Sequence, residues 1–383
     1  MEYHIVDRTK ELPTLRPHWE RLAAAGGVRT PYQSLTWLEH WLLHRGTNVT
    51  PFVIILHGGE TIAPLGITVG AKLRRLLMLG TPDSDYVSLV STRPFEEAWD
   101  GVARALAEHR QQFDVLHLQS VREREAIVAA LSRHLHGKGR ERIYESCPWI
   151  PTDRPWEEVS KRRGNGLRNE LKRWDRRIRE LGQLETERIR PPLTAALLDE
   201  LESVERDSWK WEQGNSAFRP GSQREFLTAL LGDPRAELAV WLMRLSGRLV
   251  AYALVLVGTD RWYYYLPSFR KTVPNAGSLL LARIVEAACH DGCAAVDLLR
   301  GDHGYKRVWT DQAAPVYEIV WPSTLLGRIV ALAYEARWHA ARSERLTALR
   351  ARLRRVGDRR QSSHGKRTED RIEPVLISGR ATQ

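Results

Sequence analysis

The sequence predicts an α/β protein in which mixed sheets are flanked by helices and the elements fall into two halves. The chain has 383 residues, about twice the length of a typical domain of roughly 100–200 residues. Its 43% content of hydrophobic residues is sufficient for substantial cores. In addition, strand and helix patterns occur twice along the chain in the order β-β-β-α-β.

The first half begins with a helix predicted over Ser34–Gly46, which Ser34 or Thr36 can cap. Two strands separated by a Gly-Gly turn follow in FVIILHGGETIAPLGITVG, and KLRRLLMLGTP predicts a third strand. The pattern then predicts a helix over Pro94–Gln111, a short strand in FDVLHLQSV and a helix over Glu123–Leu135.

The second half repeats this order. Strands are predicted in AELAVWLMRL, RLVAYALVLVG and RWYYYLPSF, and a Ser-Gly turn joins the first two. A helix over Ala276–His290 follows, because Leu279, Leu280 and Ile284 recur at helical spacing, and AAVDLL predicts the next strand. The repetition concerns the order of the elements, since no residues recur at a fixed period.

A basic amphipathic helix is predicted between the halves, within Trp156–Gly182. Its apolar side chains step by four and three residues and therefore lie on one helix face, with arginines and lysines on the rest. This stripe consists of Leu167, Leu171, Trp174, Ile178 and Leu181.

We place the domain boundary near residue 152, which predicts one domain over 1–152 and another over 153–323. A second amphipathic basic helix is predicted over 324–356, followed by a disordered tail over 357–383.

The net charge of +11 is concentrated in the two basic helices. Ser160–Arg179 and Thr324–Arg360 each carry a net charge of +7, so the rest of the chain is slightly acidic. Such segments suit contact with nucleic acid, with an anionic substrate or with a membrane, and they also occur as solvated helix faces. For 324–356, the alternatives are peripheral contact with the inner face of a membrane and docking on the protein's own domain.

The composition favours a cytoplasmic protein without a membrane span. The segment MEYHIVDRTKELP lacks the apolar region of a signal peptide, and the longest apolar run, LVAYALVLV, is far shorter than the ~20 residues of a membrane helix. The three cysteines, Cys147, Cys289 and Cys293, form no CxxC pair, as expected in a reducing compartment. Motifs typical of zinc sites, serine hydrolases, phosphate loops and dinucleotide sites are missing from the sequence, so we predict no metal.

Charged residues follow the predicted strand AAVDLL in the stretch VDLLRGDHGYKRVW. Asp297 lies within the strand, where a buried carboxylate costs several kcal/mol unless it is paired. One interpretation is a structural ion pair with Arg300 or with a basic helix, and the other is a catalytic carboxylate. Asp302, Tyr305 and Lys306 follow the carboxyl end of the strand, which is where open α/β sheets bind ligands.

A second candidate site lies where the strand RWYYYLPSF is followed by a helix that begins at Ala276–Ser278. The unpaired N–H groups of a helix N-terminus can bind an anion, and Arg270 adds positive charge beside them. The functional interpretation is a cradle for a diphosphate or a carboxylate. The structural interpretation is an ordinary strand–helix turn in which Gly277 allows close packing.

Seven stretches, in order along the chain, resemble the GNAT-like acyltransferases of the CelD/BcsL type, which are related in fold to the FemAB peptidyl transferases. These stretches are SLTWLEHWL, IAPLGI, LGTPDSDYVSL, RRGNGLRNELKRWDRRIRELG, SWK, AGSLLLARIVEAACHDG and VDLLRGDHGYKRVW. The resemblance implies two tandem GNAT-like domains with the site between them. It also implies transfer of an acyl group from acetyl-CoA or another acyl-CoA to an amine or hydroxyl of a cell-envelope or polysaccharide-related acceptor. The stretch VPNAGS matches the phosphate-binding turn of GNAT enzymes and retains only Gly277 of its glycines.

Within this enzyme hypothesis, we assign Asp302 or Asp297 as base or orienter and Lys306, with backbone N–H groups, as the oxyanion stabiliser. Tyr305 is assigned as proton donor to the leaving thiolate. The residues expected to bind the donor are Arg270, Asn275, Ala276, Gly277 and Ser278. The residues expected to bind substrate are Asp85, Tyr86, Arg168, Trp209, Lys210, Arg300 and Trp309. The alternatives are a FemAB-type transferase that uses aminoacyl-tRNA, which the basic helices would suit, and a non-catalytic module in a polysaccharide assembly complex.

Overall fold

The structure, a computed structural model, describes residues 2–56, 58, 60–161, 165–301 and 304–342. In these ranges, thirteen strands form one mixed sheet with helices packed on its faces. This confirms the predicted α/β class with mixed sheets flanked by helices. The strands are β1 Tyr3–Val6, β2 Val49–Leu56, β3 Thr61–Gly70, β4 Leu73–Met78, β5 Val90–Ser91, β6 Val115–Val121, β7 Arg140–Pro151, β8 Leu184–Ile189, β9 Leu238–Leu245, β10 Arg248–Val257, β11 Arg261–Phe269, β12 Ala295–Asp297 and β13 Ala313–Pro322.

The helices lie on both faces of this sheet. They are α1 Arg16–Ala24, α2 Leu35–His44, α3 Phe95–Glu108, α4 Arg124–His134, α5 Trp156–Val159, α6 Asn165–Arg179, α7 Ala195–Arg206, α8 Trp209–Glu212, α9 Ser222–Gly232, α10 Ala276–His290, α11 Gly304–Trp309 and α12 Leu325–Arg342. Short 3₁₀ helices cover Thr9–Leu15, Pro31–Gln33 and Arg110–Gln112. Alternation in β9 shows why both faces are covered: Val240 and Leu242 enter one core, whereas Trp241 and Met243 enter another.

The two halves share an order of elements and of strand pairing. In the first half β2, β3 and β4 are antiparallel neighbours and β6 then pairs with β4 in parallel. In the second half β9, β10 and β11 are antiparallel neighbours and β12 pairs with β11 in parallel. The repeated β-β-β-α-β order is therefore a property of the fold as well as of the sequence.

The last strand of each half belongs to the sheet of the other half. β7 pairs with β12, where Trp149 lies opposite Asp297, and β13 pairs with β6, where Ile319 lies opposite Leu118. β7 and β13 also pair with each other and so join the halves in the middle of the sheet. Met1–Arg328 accordingly forms one compact unit. The boundary near residue 152 falls at the end of β7, and it stays a prediction because the sheet continues across it.

The amphipathic helix between the halves is α6, and its apolar stripe packs as the spacing predicts over most of its length. Leu167, Leu171 and Ile178 are buried in the core that also contains one face of α10. Leu181 is 64% exposed because the helix ends at Arg179, before this last residue of the stripe. Capping also follows the sequence in α2, where the Ser34 hydroxyl accepts a hydrogen bond from the Trp37 N–H.

Helix α12 begins where the second basic helix was predicted, and the Thr324 hydroxyl caps it by accepting a hydrogen bond from the Gly327 N–H at 3.2 Å. The rest of that predicted helix, 343–356, and the predicted tail, 357–383, lie outside the described residues. In the part of the chain that the structure describes, every helix is too short or too polar to cross a membrane.

Candidate active site

A cavity opens where β11 and β12 diverge. The three residues of β12 pair only with Arg261–Tyr263, the start of the nine-residue β11. Beyond Asp297 the chain follows β7, since the Leu298 N–H donates to the Pro148 carbonyl at 2.8 Å, whereas β11 continues alongside β10. The second part of β11 therefore has one open edge within the described sheet, and this edge faces the cavity.

The cavity has a volume of about 470 Å³ and a largely aromatic wall. Four elements and two loops contribute to it, and eight of the lining residues come from β11 and the segment after β12. The lining residues are Asp85, Trp209, Lys210, Tyr264, Tyr265, Pro267, Ser268, Phe269, Gly277, Ser278, Leu281, Leu298, Leu299, Arg300, Tyr305 and Lys306. Stretches that are far apart in the sequence thus meet at one site, because β11, α10, α8 and α11 all end or begin there.

The N-terminus of α10 forms one end of the cavity through Gly277 and Ser278. Asn275 precedes the helix in the left-handed conformation, with φ of 66°. A Cβ atom on Gly277 would lie 2.6 Å from the Phe269 ring, so this position requires glycine for close packing. Gly277 is therefore required for packing, as the structural interpretation proposed. The helix N-terminus also lies at the cavity, where it can attract an anion.

Lys306 lies on α11 and is almost completely buried. Its Nζ donates to the carbonyls of Leu299 and Arg300 at 2.9 and 2.7 Å. Leu299 adopts a left-handed conformation with φ of 62°, which turns the segment after β12 toward the lysine. Burial lowers the pKa of Lys306, and nearby anionic groups, chiefly Asp85, oppose this effect.

Lys210 lies on the short helix α8, which the Ser208 hydroxyl caps. Its Nζ donates a hydrogen bond to the Pro267 carbonyl on β11. Burial lowers the pKa of Lys210, and the carboxylate of Glu205 raises it to a smaller extent. The SWK stretch of the sequence thus places a desolvated amine on the cavity wall.

Arg300 and Asp85 form an ion pair that joins the two halves at the cavity. The guanidinium of Arg300 also donates to the Ser120 hydroxyl at 3.1 Å and to the Pro82 carbonyl at 3.0 Å. Asp85 is the acidic residue of the lining, and its charge is balanced by this arginine. The loop of the first half therefore completes a site that is otherwise built from the second half.

Asp297 is fully buried and lies outside the cavity lining. Its carboxylate accepts hydrogen bonds from Tyr86 at 2.8 Å, Arg261 at 3.2 Å and the Leu299 N–H at 2.8 Å, with Arg122 at 3.5 Å. Burial raises the pKa of Asp297, and Arg122 most strongly opposes this. The structural interpretation named Arg300 or a basic helix as its partner; that partner was wrong, because Arg300 pairs with Asp85.

The remaining predicted residues lie at several places. Tyr305 lines the cavity, where burial raises its pKa to about 12. Tyr86 is buried between Asp297 and the guanidinium of Arg122, which lies 3.8 Å from its ring centre. Trp309 is buried in the core of the second half. Asp302 lies outside the described residues.

Two of the predicted basic residues lie away from the cavity. Arg270 is buried, and its guanidinium donates to the Leu249 carbonyl at 2.8 Å and to the Ser203 hydroxyl at 2.8 Å. Arg168 lines a separate groove between α6 and α10. Asn275 and Ala276 mark the start of α10 and are absent from the cavity lining. The structure therefore brings together eight of the predicted residues at the cavity: Asp85, Trp209, Lys210, Gly277, Ser278, Arg300, Tyr305 and Lys306.

Sequence reasoning missed the polar residues behind the cavity wall. Glu205 of α7 is fully buried and accepts a hydrogen bond from the Tyr252 hydroxyl at 2.8 Å. Ser268 is buried and lines the cavity, but it was read as part of an ordinary strand. Tyr264 and Tyr265 of the predicted strand RWYYYLPSF also line the cavity. The sequence offers one indication of Glu205: it is an acidic residue within an amphipathic segment, and it lies five residues before Lys210.

Comparison with known families finds a match for the part of the chain that forms most of this site. Residues 165–307, which contain most of the cavity lining, match the family described as acetyltransferase (GNAT) domain. This part of the chain is therefore similar to a GNAT acetyltransferase domain, and the repeated halves give the whole a GNAT-like tandem fold. A comparison with curated proteins found no match to the sequence.

Solved structures share the fold over most of the chain. The C-terminal domain of a putative lysylphosphatidylglycerol synthetase from Agrobacterium fabrum is 15% identical with a TM-score of 0.56, and the match covers 83% of this chain and 94% of that one. FemX is 11% identical with a TM-score of 0.57, over 83% and 97% of the two chains. The structure of L-PGS from Bacillus licheniformis is 14% identical with a TM-score of 0.54, over 82% and 95%.

Proposed function

We propose that the protein transfers an acyl group from acetyl-CoA or another acyl-CoA to an amine or hydroxyl of a cell-envelope or polysaccharide-related acceptor, as its resemblance to the CelD/BcsL type implies. The observation that carries the proposal is the open edge of β11 in a cavity that also contains the N-terminus of α10. An extended donor and an anion can bind there side by side.

The donor suits this cavity because of its chemistry. The pantetheine arm of CoA is extended and contains amides, which can pair with the unpaired backbone groups of β11 as an added strand would. The diphosphate carries negative charge, which the N-terminus of α10 at Gly277 and Ser278 would attract. The aromatic wall from Tyr264 to Phe269 would exclude water from the thioester.

In this proposal, acyl transfer uses groups of α11. Negative charge develops on the thioester oxygen, and Lys306, whose Nζ is fixed by two carbonyls, would stabilise it together with backbone N–H groups. Tyr305 lines the same cavity and would donate a proton to the leaving thiolate. Asp297 is sealed behind the wall, so we now propose it as an orienting group for Tyr86 and the segment after β12.

Binding and turnover test the proposal separately. Calorimetric titration of the full chain with acetyl-CoA and with longer acyl-CoAs should show stoichiometric binding. Release of free thiol in the presence of amine and hydroxyl acceptors should then measure transfer. Absence of binding by every acyl-CoA would refute the CoA donor. If an acyl-CoA binds but neither thiol release nor acyl transfer to fractionated envelope material is detected, the non-catalytic module is favoured.

Aminoacyl-tRNA is a second candidate donor, which the groove between α6 and α10 favours. Arg168, Lys172 and Arg283 line this groove together with three acidic residues, Glu157, Asp175 and Glu286, and the positive charge available to a polyanion lies mainly on the arginines of the exposed face of α6. One of the structurally similar proteins is named as a lysylphosphatidylglycerol synthetase. Transfer of radiolabelled amino acid from charged tRNA, with no thiol release from acyl-CoA, would establish this donor.

We further propose that α12 contacts an anionic membrane surface. Leu325, Ile329 and Leu332 recur on one helix face and are 75%, 65% and 54% exposed. Ten arginines in Thr324–Arg360 supply the complementary charge for anionic lipid headgroups. Such contact would hold the protein at a surface where lipid-linked acceptors are found.

A further inference from the structure

We propose that Lys210 is the general base of the transfer reaction and that Glu205 is the positioning residue that tunes it. This inference rests on the proposed function, since it assigns the group that removes the proton from the acceptor. Lys210 lines the cavity on the side of β11, while Tyr305 and Lys306 line it from α11. The donor would therefore lie between the proposed base and the proposed oxyanion stabiliser.

The surroundings of Lys210 and Glu205 form a built polar site. Glu205 is fully buried on α7, one turn before the start of α8. One carboxylate oxygen accepts the hydrogen bond from Tyr252, and the other has no hydrogen-bond partner among the described residues. The buried hydroxyl of Ser268, on the cavity wall, interacts with the Tyr252 side chain, so that Ser268, Tyr252 and Glu205 form one polar cluster. A buried carboxylate oxygen without a partner is costly, so its retention in this cluster points to a function there.

The chemistry of the lysine supports this assignment. A base must hold a lone pair at the working pH, and burial lowers the pKa of Lys210, which increases its neutral fraction. Its hydrogen bond to the Pro267 carbonyl fixes the amine on the wall. Glu205 partly opposes the effect of burial and so keeps the amine basic enough to accept a proton.

The other titratable groups of the cavity are less suited to this role. Burial lowers the pKa of Lys306 as well, but its Nζ donates to two carbonyls, one more than the Nζ of Lys210, and this favours its charged form more strongly. Tyr305 has a raised pKa and serves better as a proton donor than as a base. Asp85 is paired with Arg300. The other titratable and charged groups that line the cavity are Asp85, Tyr264, Tyr265, Arg300, Tyr305 and Lys306, and Glu205 acts on Lys210 from outside the lining.

The proposed step balances as follows for an amine acceptor. The acceptor nitrogen forms a C–N bond with the thioester carbon, and its proton passes to the Lys210 Nζ, which becomes an ammonium. The C–S bond then breaks, and the thiolate takes a proton from Tyr305. Lys210 then releases the proton that it took from the acceptor, and this proton reaches the tyrosinate of Tyr305 through solvent. The net products are therefore an amide and a thiol. A hydroxyl acceptor follows the same course and yields an ester.

The pH dependence of kcat/KM tests the inference. All variants are measured with the same acceptor, so that the titration of the acceptor itself contributes equally to every profile. Lys210→Met should reduce transfer by about 10²–10⁴-fold and remove the acidic limb that the lysine causes. Glu205→Gln should move that limb to lower pH, because loss of the carboxylate lowers the pKa of Lys210 further. Lys10→Met, at an exposed lysine of the first 3₁₀ helix, is the matched control and should leave the rate of transfer and the acidic limb of the pH profile unchanged. Wild-type turnover by Lys210→Met would overturn the inference, as would an unchanged limb in Glu205→Gln.

A second measurement does not depend on turnover. Competitive labelling of the full chain with acetic anhydride across a pH series, followed by mass spectrometry, reports the titration of each lysine. Lys210 should become reactive at lower pH than Lys10, and Glu205→Gln should lower that pH further. If Lys210 and Lys10 become reactive over the same pH range, the inference is overturned even if transfer is observed. A shifted Lys210 in a protein that transfers no acyl group would instead refute the proposed function.

Discussion

Arg300, from the second half of the chain, forms an ion pair with Asp85, from the first half, at the wall of the cavity. Both side chains are mostly buried, at 18% and 17% exposure, so water screens their attraction only weakly. The loop of the first half that carries Asp85 is thereby fixed against the segment after β12. The site depends on contact between the halves as well as on the GNAT-like domain itself.

We predict that Asp85→Asn lowers both stability and transfer. The substitution leaves the guanidinium of Arg300 without its charged partner, which should cost about 1–3 kcal/mol in the free energy of unfolding. Urea titration at neutral pH measures this cost. Glu60→Gln, which removes an exposed partner of Arg93, is the control and should leave stability close to that of the wild type. Equal effects of the two substitutions would contradict the prediction.

Lys306→Met should reduce the rate of transfer by about 10²–10³-fold, because the ammonium that stabilises the oxyanion is lost. The same change leaves the carbonyls of Leu299 and Arg300 without their donor, so some loss of stability should accompany it. Initial rates of thiol release at saturating donor measure the effect. Arg307→Met, at the next residue of α11, should retain the wild-type rate. Near-normal turnover of Lys306→Met would show that the lysine only supports the backbone.

Ser278→Glu should weaken acyl-CoA binding about tenfold or more, equivalent to about 1.4 kcal/mol, because it places a negative charge where the diphosphate is proposed to bind. The fold should tolerate this change, since acidic residues near a helix N-terminus stabilise the helix. Calorimetric titration compares it with Ser278→Gln, which has similar size and no charge. If both variants bind equally well, the diphosphate lies elsewhere.

The pair between His40 of α2 and Asp233 after α9 predicts a pH-dependent stability. Arg235 lowers the pKa of Asp233, and the hydrogen bond from His40 contributes to this. A carboxyl group whose pKa is lowered by folding stabilises the protein above its unfolded pKa of about 3.9, and this stability is lost as the pH falls further. Asp233→Asn should therefore be destabilised by about 1–3 kcal/mol at pH 7, and the difference from wild type should shrink below pH 4. A constant difference down to pH 2 in urea titrations would contradict this.

A double substitution, Leu325→Gln with Ile329→Gln, should reduce binding of the protein to vesicles that contain anionic lipid. Binding should also weaken with salt, since charges at a surface are screened over ~8–10 Å at ordinary ionic strength. Co-sedimentation at low and high salt measures both effects. Val69→Gln removes an equally exposed apolar residue, 64% exposed on β3, and should have no effect. Loss of binding in this control as well would indicate unspecific adsorption.

The elements with strong periodicity were predictable from the sequence. Helix α10 has the predicted bounds, Ala276–His290, because its apolar residues recur at helical spacing and loops with turn residues flank it. Strands β9 to β11 follow from apolar runs separated by short turns. In contrast, neither β7 nor β13 was predicted: β7 begins with charged and polar residues, and β13 is largely apolar but is interrupted by prolines and lacks a clear alternation.

The composition of the site was predictable, whereas its geometry was not. Lys306 was singled out by its place after a predicted strand and Lys210 by the family resemblance, but only the folded chain shows that both line one cavity. The partner of Asp297 was wrongly predicted because Arg122 is 175 positions away, and sequence gives no measure of such distances. The divergence of β11 from β12 depends on where β7 lies, and β7 itself was missed.

The exchange of β7 and β13 between the halves has a consequence for biosynthesis. β7 leaves the ribosome long before its partners β12 and β13 exist, so the nascent first half carries strand edges that nothing covers. At about 5–20 residues per second, synthesis of the chain from the end of β7 to the end of β13 takes roughly 9–34 s. During that interval the emerging polypeptide is exposed to mispairing with other chains. Chaperones that hold it until Pro322 has emerged should increase its yield.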